Sequence, residues 1–403
     1  MTAHLGSRDR AGMPTRTLLA AVARVALLGG CLLIGAVGVA SAAIKVKVVA
    51  SHLNSPKHLL VTDRGVYVAE SGTGGPVGPK NCIAGPSTEA PVTTRFCTGR
   101  TGAVILISGH HVQVVASKLA SSIEQDPPEA AGPSAVTVDP KGRLSILYDD
   151  AQPTSSGATA LPSPAASVFG TFQMAGGRVA QIARFDAAHP QTEATLGGVP
   201  GEIAYDSDPF DVVAYKTGYV VADAGSNSIV FVSKTGQVSL IARFPTVPEQ
   251  VPAGVFGPAP VPLNAQAVPT SVAVGPDGAL YVGILRGVPS LPGTADIYRV
   301  VPGRAPTLWA SGLTTVTGIA FDAHKRLLAS EYSSGGLLAP ASVPGAIVRI
   351  SRNGKQVTKL PVTGLLQPTG IAVAADGAIY VSNDGDSAAN ASKPGEVLKI
   401  TGA

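Results

Sequence analysis

Six residues, Glu70, Tyr148, Asp223, Ile284, Glu331 and Asn383, stand at equivalent places in a repeated phrase, each at the end of a short apolar run. Glu70, Asp223, Glu331 and Asn383 are acids or an amide. A second series, His58, Ala135, Asp211, Ser271, Gly318 and Gly370, opens the apolar run before it in each unit. If these positions converged on one axis, Glu70, Asp211, Asp223, Glu331 and Asn383, with His58, could hold a divalent cation, Ca or Mg. Such an ion polarises a carbonyl or activates water, the chemistry of a metal-dependent lactonase or lyase. The plainer role for Asp, Asn and Glu at strand ends is to bond nearby backbone and shape the next turn. Turn chemistry alone predicts these residue types, so they are candidate channel or ligand residues with no catalytic or metal role assigned. No HExxH spacing and no GxSxG elbow is present. Asn383-Asp-Gly-Asp386 and Asp206-Ser-Asp208 resemble calcium loops without completing the EF-hand pattern.

The elements that must position these residues are strands. The clearest repeat runs from Pro269 to Val282, and weaker copies begin at Pro56, Pro133, Pro209, Val316 and Pro368. Each copy reads as an apolar strand, a tight turn such as Asp277-Gly278 whose positions tolerate positive φ, and a second strand rich in Val, Leu and Tyr. Third strands are expected at 103–107, 177–182, 228–232, 297–301, 346–350 and 396–400. Fourth strands are expected at 112–116, 238–242, 307–310 and 357–360, with a poor candidate at 193–196 in the second unit. The last unit has no fourth strand before Ala403. A matching segment, Lys45 to Ser51, sits at the other end of the chain. Pairing it with Glu396–Ile400 would close a ring and cover an open sheet edge. The expected fold is all-β: a six-bladed β-propeller over residues 45–403, closed by an N-terminal strand that completes the last blade. Trp309 is the only Trp, and no unit carries a Trp-Asp signature.

Residues 1–43 form the leader. Arg8, Arg10, Arg16 and Arg24 precede or enter an apolar run that ends in the small residues Ala40-Ser-Ala42, the order of a secretory signal peptide. Left uncleaved, the run would be the chain's one membrane anchor. Secretion or placement in the cell envelope follows. The chain has 30 Lys and Arg against 26 Asp and Glu; four of those Arg and one Asp lie in the leader, leaving 26 against 25. That balance argues against nucleic-acid binding. Cys82 and Cys97 remain after the leader, an even pair in an exported chain, and are expected to form a disulfide. Three stretches interrupt the rhythm: 71–100, which holds both cysteines, and the Pro-rich 151–176 and 245–266. The first is expected to be stapled and ordered, and loops on a rigid scaffold are where ligands usually bind.

Gly72-Thr-Gly-Gly75 with Cys82, Cys97 and Thr101-Gly-Ala-Val104 resembles the first blade of the ScyD/ScyE family. So do Leu53-Asn-Ser-Pro56, Asp206-Ser-Asp-Pro-Phe210, Val221-Ala-Asp-Ala-Gly225, Val268-Pro-Thr-Ser-Val-Ala-Val274 and Val300-Val-Pro-Gly303. The resemblance implies an exported NHL-like propeller and assigns it no reaction; the fold signals, the stapled first-blade loop and the lack of a complete catalytic set point to a binding module for a small molecule or an envelope or extracellular protein. One departure stands out: Ile284 occupies a place where the resemblance implies Glu.

Overall fold

The structure, a computed structural model, describes residues 43–86, 93–126, 128–139, 141–149, 152–192, 205–385 and 394–403. The leader up to residue 42, the 193–196 candidate strand and Asp386 of the 383–386 loop-like motif lie outside the described residues.

The first strand, β1 (Lys45–Leu53), is set aside for the end of the ring. Blade one holds β2 (Pro56–Thr62), β3 (Gly65–Glu70), β4 (Cys82–Pro86), β5 (Thr93–Ser108), β6 (His111–Gln125) and β7 (Pro128–Ala131). Blade two holds β8 (Pro133–Val138), β9 (Leu144–Tyr148), β10 (Thr171–Met174) and β11 (Arg178–Gln181), followed by the short helix α1 (Ile182–Ala188). Blade three runs through β12 (Pro209–Tyr215), β13 (Gly218–Asp223), β14 (Ser228–Ser233) and β15 (Val238–Arg243). A separate hairpin, β16 (Val247–Val251) and β17 (Val261–Ala265), follows it. Blade four is β18 (Pro269–Val274), β19 (Leu280–Ile284), β20 (Ala295–Val300) and β21 (Thr307–Leu313). Blade five is β22 (Val316–Phe321), β23 (Leu327–Glu331), β24 (Ala346–Ile350) and β25 (Val357–Lys359). Blade six contributes β26 (Gly370–Val373), β27 (Ile379–Asn383) and β28 (Gly395–Thr401), and its sheet order is β1-β28-β27-β26. The fold is a six-bladed β-propeller.

Closure takes the expected form. β1 pairs antiparallel with β28, Lys45 opposite Thr401 and Ser51 opposite Glu396. Two bulges in β1 re-aim its inner end. Ala50 and Leu53 therefore turn into the core shared with Val66, Val68, Ile105 and Val397, while Val46 and Val48 face outward.

The six inner strands stand next to one another around the axis, and each joint between neighbouring blades carries a polar bond. The Ser71 hydroxyl donates to the Pro133 carbonyl at 3.2 Å, and the Ser134 hydroxyl to the Pro209 carbonyl at 2.9 Å. Thr270, Thr317 and Thr369 donate likewise, at 2.6 Å, to the carbonyls of Val316, Pro368 and Pro56. Between blades three and four the bond is reversed: the Val272 N–H donates to Asp211 Oδ2 at 2.9 Å. Proline opens four of these inner strands, because a strand's first residue can lack a ladder N–H, and Pro368 lies two residues before a fifth.

Three details differ from the sequence reading. In blade two the third strand is Thr171–Met174, inside the stretch read as an interruption, and Arg178–Gln181 is the fourth. Phe172 and Met174 point inward with period two, a signal masked by the Ala-, Ser- and Pro-rich residues before them. At Asp277-Gly278 only the glycine has positive φ, 75°, so the turn is not one with both central residues left-handed. The 245–266 stretch is an ordered hairpin whose Glu249 lies 3.9 Å from the fully buried Arg286, itself paired with Asp296 at 2.5 Å.

The disulfide joins Cys82 and Cys97, directly opposite each other on β4 and β5. The early half of β5 and the late half of β6 run beyond the ring and combine with β4 and β7 into an extension of blade one.

Ring closure makes a direct prediction. Leu53→Ala should cost about 2–5 kcal/mol, the usual range for truncating a buried leucine, read from urea unfolding. Deleting 43–53 should expose the β28 edge and give aggregation or loss of cooperative unfolding; a monomer of unchanged stability would contradict closure by this strand.

Candidate functional site

The acid column lies at one end of the ring, where each first strand begins and each second strand ends. There each side chain does the same job. Asn54 N–H donates to Glu70 Oε2 at 2.8 Å, Thr314 N–H to Glu331 Oε1 at 2.9 Å, and Leu366 N–H to Asn383 Oδ1 at 2.8 Å. Asp223 accepts from Asp208 N–H at 2.7 Å and from the Ser207 hydroxyl at 2.8 Å. In blade two the clamp is Asp149, one residue past Tyr148, which accepts from Gly132 N–H. In blade four, where Ile284 has no polar atom, Asn227 from the neighbouring blade accepts from Val268 N–H at 2.8 Å instead.

The clamps hold strained backbone. Ser55, Val268 and Thr315 each immediately precede an inner strand, Gln367 stands three residues before β26, and their φ values are 52°, 56°, 42° and 43°. Left-handed geometry is costly for a β-branched Val or Thr and persists only where surrounding bonds over-determine it. Each of these residues also accepts through its carbonyl: Ser71 N–H bonds Ser55, Leu285 bonds Val268, Tyr332 bonds Thr315 and Gly385 bonds Gln367, at 2.9–3.1 Å.

The first column divides differently. His58 is buried and reaches across to blade three, its Nδ1 3.6 Å from Asp211 Oδ1 and its ring edge-on to Phe210 at 5.3 Å. Burial pushes its imidazole below the ordinary value, against the charge of Asp211 and a backbone hydrogen bond with Thr270. His58 Nε2 and Ser271 Oγ find no hydrogen-bond partner among the described residues. Asp211 also accepts from its own Val212 N–H at 2.8 Å. Gly318 and Gly370 are needed where inner strands crowd: a Cβ on Gly370 would lie 2.8 Å from the Lys57 carbonyl. The structure thus brings His58 and Asp211 together and turns Glu70, Asp223, Glu331 and Asn383 each toward its own loop. Among the described residues no group of three or more His, Cys, Asp or Glu is arranged to hold a metal ion.

The open space is elsewhere. A cavity of two adjoining lobes, about 290 Å³ and about 620 Å³, occupies this mouth, and Lys57, Glu129, Asp208, Phe210, Val268 and Leu337 border both. None of the candidate residues of the two columns lines it. Lys57 and Phe210 come from the position just before the first column, which in the other four blades is Ser134, Thr270, Thr317 and Thr369, the hydroxyls that tie blade to blade. The visible sign was therefore a break in a Ser/Thr series one residue from the column chosen. The blade-one extension supplies one wall through Phe96, Ser122 and Glu129. A loop of blade five, from Gly336 to Val343, supplies another.

No protein-family model and no curated protein matches the chain. Among solved structures it is similar to a streptogramin B lyase at 12% identity and a TM-score of 0.44, over 89% of this chain and 97% of that one. A virginiamycin B lyase from Staphylococcus aureus matches at 14% identity and 0.42, over 89% and 99%. A soluble aldose sugar dehydrogenase from Escherichia coli matches at 12% and 0.42, over 90% and 100%. Likeness this distant carries no chemistry over to this chain.

Burial raises Glu70, Asp208, Asp223 and Glu331 above ordinary carboxylate values, and for Asp208 the charges of Asp149, Asp223, Asp206 and Glu129 add to it. Between the ordinary and the raised values the folded protein holds more protons than the unfolded chain, so stability falls as pH rises through that window. The melting temperature should be higher at pH 5.5 than at pH 8, and Asp208→Asn should flatten the difference. Glu331→Ala should cost about 1–3 kcal/mol by orphaning the Thr314 N–H, and Glu331→Gln, which keeps the acceptor, clearly less. Equal losses for the two variants would contradict the clamp.

Proposed function

We propose that the protein is an exported propeller of the ScyD/ScyE type that binds a small molecule in the mouth of its ring. The observation that carries this reading is the cavity of about 620 Å³ at the one end of the ring where left-handed, clamped residues gather. Strain of that kind collects at ligand sites, and concave, mixed polar and apolar cavities are the usual form of small-molecule sites. Val268 and Gln367 are both strained and cavity-lining, so backbone geometry and cavity shape are directly linked. The disulfide supports the reading by fixing the extension that carries Phe96 and Ser122 to the cavity. A small molecule suits this concave space better than an envelope protein does.

The metal-dependent lactonase or lyase reading has less support. Glu70, Asp223, Glu331 and Asn383 are each bonded to backbone that would be left buried and unpaired if they swung toward a common ion.

The test is a ligand-observed NMR screen of a fragment library against wild type and Leu337→Arg, which fills the cavity from a loop. Fragments that bind wild type should lose at least tenfold in affinity in a variant of unchanged melting temperature. No fragment binding at all, or binding indifferent to the substitution, would overturn the proposal.

A further inference from the structure

The two ends of the ring differ in build and in charge. Each first strand starts at the mouth and each second strand ends there, so antiparallel pairing puts the turns inside each hairpin at the far end. Those turns are short, from two residues at 216–217 to six at 351–356. Together they hold ten Lys and Arg against five Asp, and no Glu. In the described segments between strands at the mouth the balance is reversed: Asp126, Asp149, Asp186, Asp206, Asp208 and Asp384 stand against Lys80, Arg184 and Arg286.

Pairing leaves the positive excess of the turn face in solvent. Asp139 and Asp322 are held by Arg143 and Arg326 of their own turns, both at 2.7 Å. Asp277 and Asp376 are held by Arg299 and Lys399 from strands, at 2.7 Å and 3.6 Å. Asp63 and the carboxylate of Ala403 are the other anions there. Against them stand Arg64 of blade one, Lys141 of blade two, Lys216 and Lys234 of blade three, and Arg304 of blade four. Blade five adds Lys325, Arg352 and Lys355. All eight are exposed, and none forms an ion pair with a described carboxylate.

Two further features bear on what covers this face. Val112, Val179, Val274, Leu308 and Val357 stand within two residues of its turns and are 37–57% exposed. β1 also starts here, at the exposed Lys45, and only residues 41–44 separate it from the apolar run that ends at Ala40. A chain still joined to its leader would therefore meet a membrane on this side.

We propose that the turn face docks on an anionic lipid bilayer and leaves the mouth open to solvent. The cations are spread over short turns of five blades, not lined up along a groove, and so fit a broad anionic surface better than a nucleic-acid strand or a peptide. The exposed valines and leucine are apolar area that a bilayer buries at headgroup depth and a soluble polyanion does not. Each Lys or Arg close to an anionic bilayer strengthens binding about fivefold, within a Debye length of about 8–10 Å. Strands of five or six residues keep the mouth acids about 17–20 Å away, beyond that reach. The docking is independent of the cavity and of any ligand in it.

The chain from Ala42 onward is one compact unit, so residues 43–403 serve for the test, free of the leader's own lipid affinity. Co-sedimentation at low and high salt compares vesicles of phosphatidylglycerol mixed with phosphatidylcholine and vesicles of phosphatidylcholine alone. Wild type should bind the anionic vesicles about twentyfold tighter or more, and lose about tenfold or more at high salt. Lys216→Glu with Lys234→Glu should weaken that binding about twentyfold or more. Lys80→Glu with Arg184→Glu, an equal change of net charge at the mouth, should weaken it less than about twofold. All four side chains are exposed, so both pairs should keep the wild-type melting temperature, and the lipid and salt comparisons stand on wild type alone. Equal losses in the two pairs, equal binding to neutral vesicles, or binding to neither kind would overturn the proposal. Binding to inorganic polyphosphate with none to vesicles would overturn it in favour of a soluble polyanion.

Discussion

A ring of blades has as many joints as blades, and one open joint leaves two raw sheet edges. Here every joint of the inner circle carries a polar bond, and the outer circle is sealed by β1 against β28. Each such bond contributes only about 1 kcal/mol net. Their importance is geometric. At four of the six joints a hydroxyl at the start of one inner strand reaches a carbonyl at the start of the next, which fixes the mouth ends of those adjoining blades at one height. Once that height is set, the loops rising from the mouth are held in a fixed arrangement by the ring itself.

The acid column belongs to the same construction. Each blade must turn sharply from the previous blade's outer edge back to the axis, and in four of six cases it does so through a left-handed residue that is not glycine. An Asp, Glu or Asn at the end of the second strand reaches the backbone beside that residue and secures it. Where blade four has Ile284, Asn227 of blade three takes over, so the requirement is for an acceptor at that spot, not for an acid in that column. This is why the acids, though buried and raised in proton affinity, are poorly placed to meet at one ion.

Much of the fold was legible because its signals are local and repeated. Proline at or near the strand start and a glycine-bearing turn recur in every blade but the fifth, and the unmatched strand at Lys45–Ser51 forces closure. Blade two was misread by one strand because a Pro- and Ser-rich insertion precedes Thr171–Met174. The outer strands gave weaker patterns: Val112, Val114, Leu240, Leu308 and Val357 are exposed there, so apolar residues do not mark a buried face. The candidate site was legible in kind but displaced. Acid at a strand end is predicted equally by catalysis and by turn chemistry, and only side-chain direction separates them. Asp206 and Asp208 were visible as a calcium-like motif, while Glu129, which joins them at the cavity, lies in a separate blade.

The departures from the repeat are more informative than the repeat. A hydroxyl at the second inner position would have served all six joints, yet blades one and three carry Lys57 and Phe210 there. Both joints are rescued by other means, Ser71 in one case and Asp211 in the other. Substituting a simple bond with a longer detour makes no sense for stability alone, since a Thr at either place would do the joint's work directly. The two exceptions border both lobes of the cavity, whereas Thr270, Thr317 and Thr369 border only the larger one. Asp211 is then explained as well: it is the carboxylate that frees Phe210 from a structural duty, and its contact with His58 follows from holding the neighbouring strand.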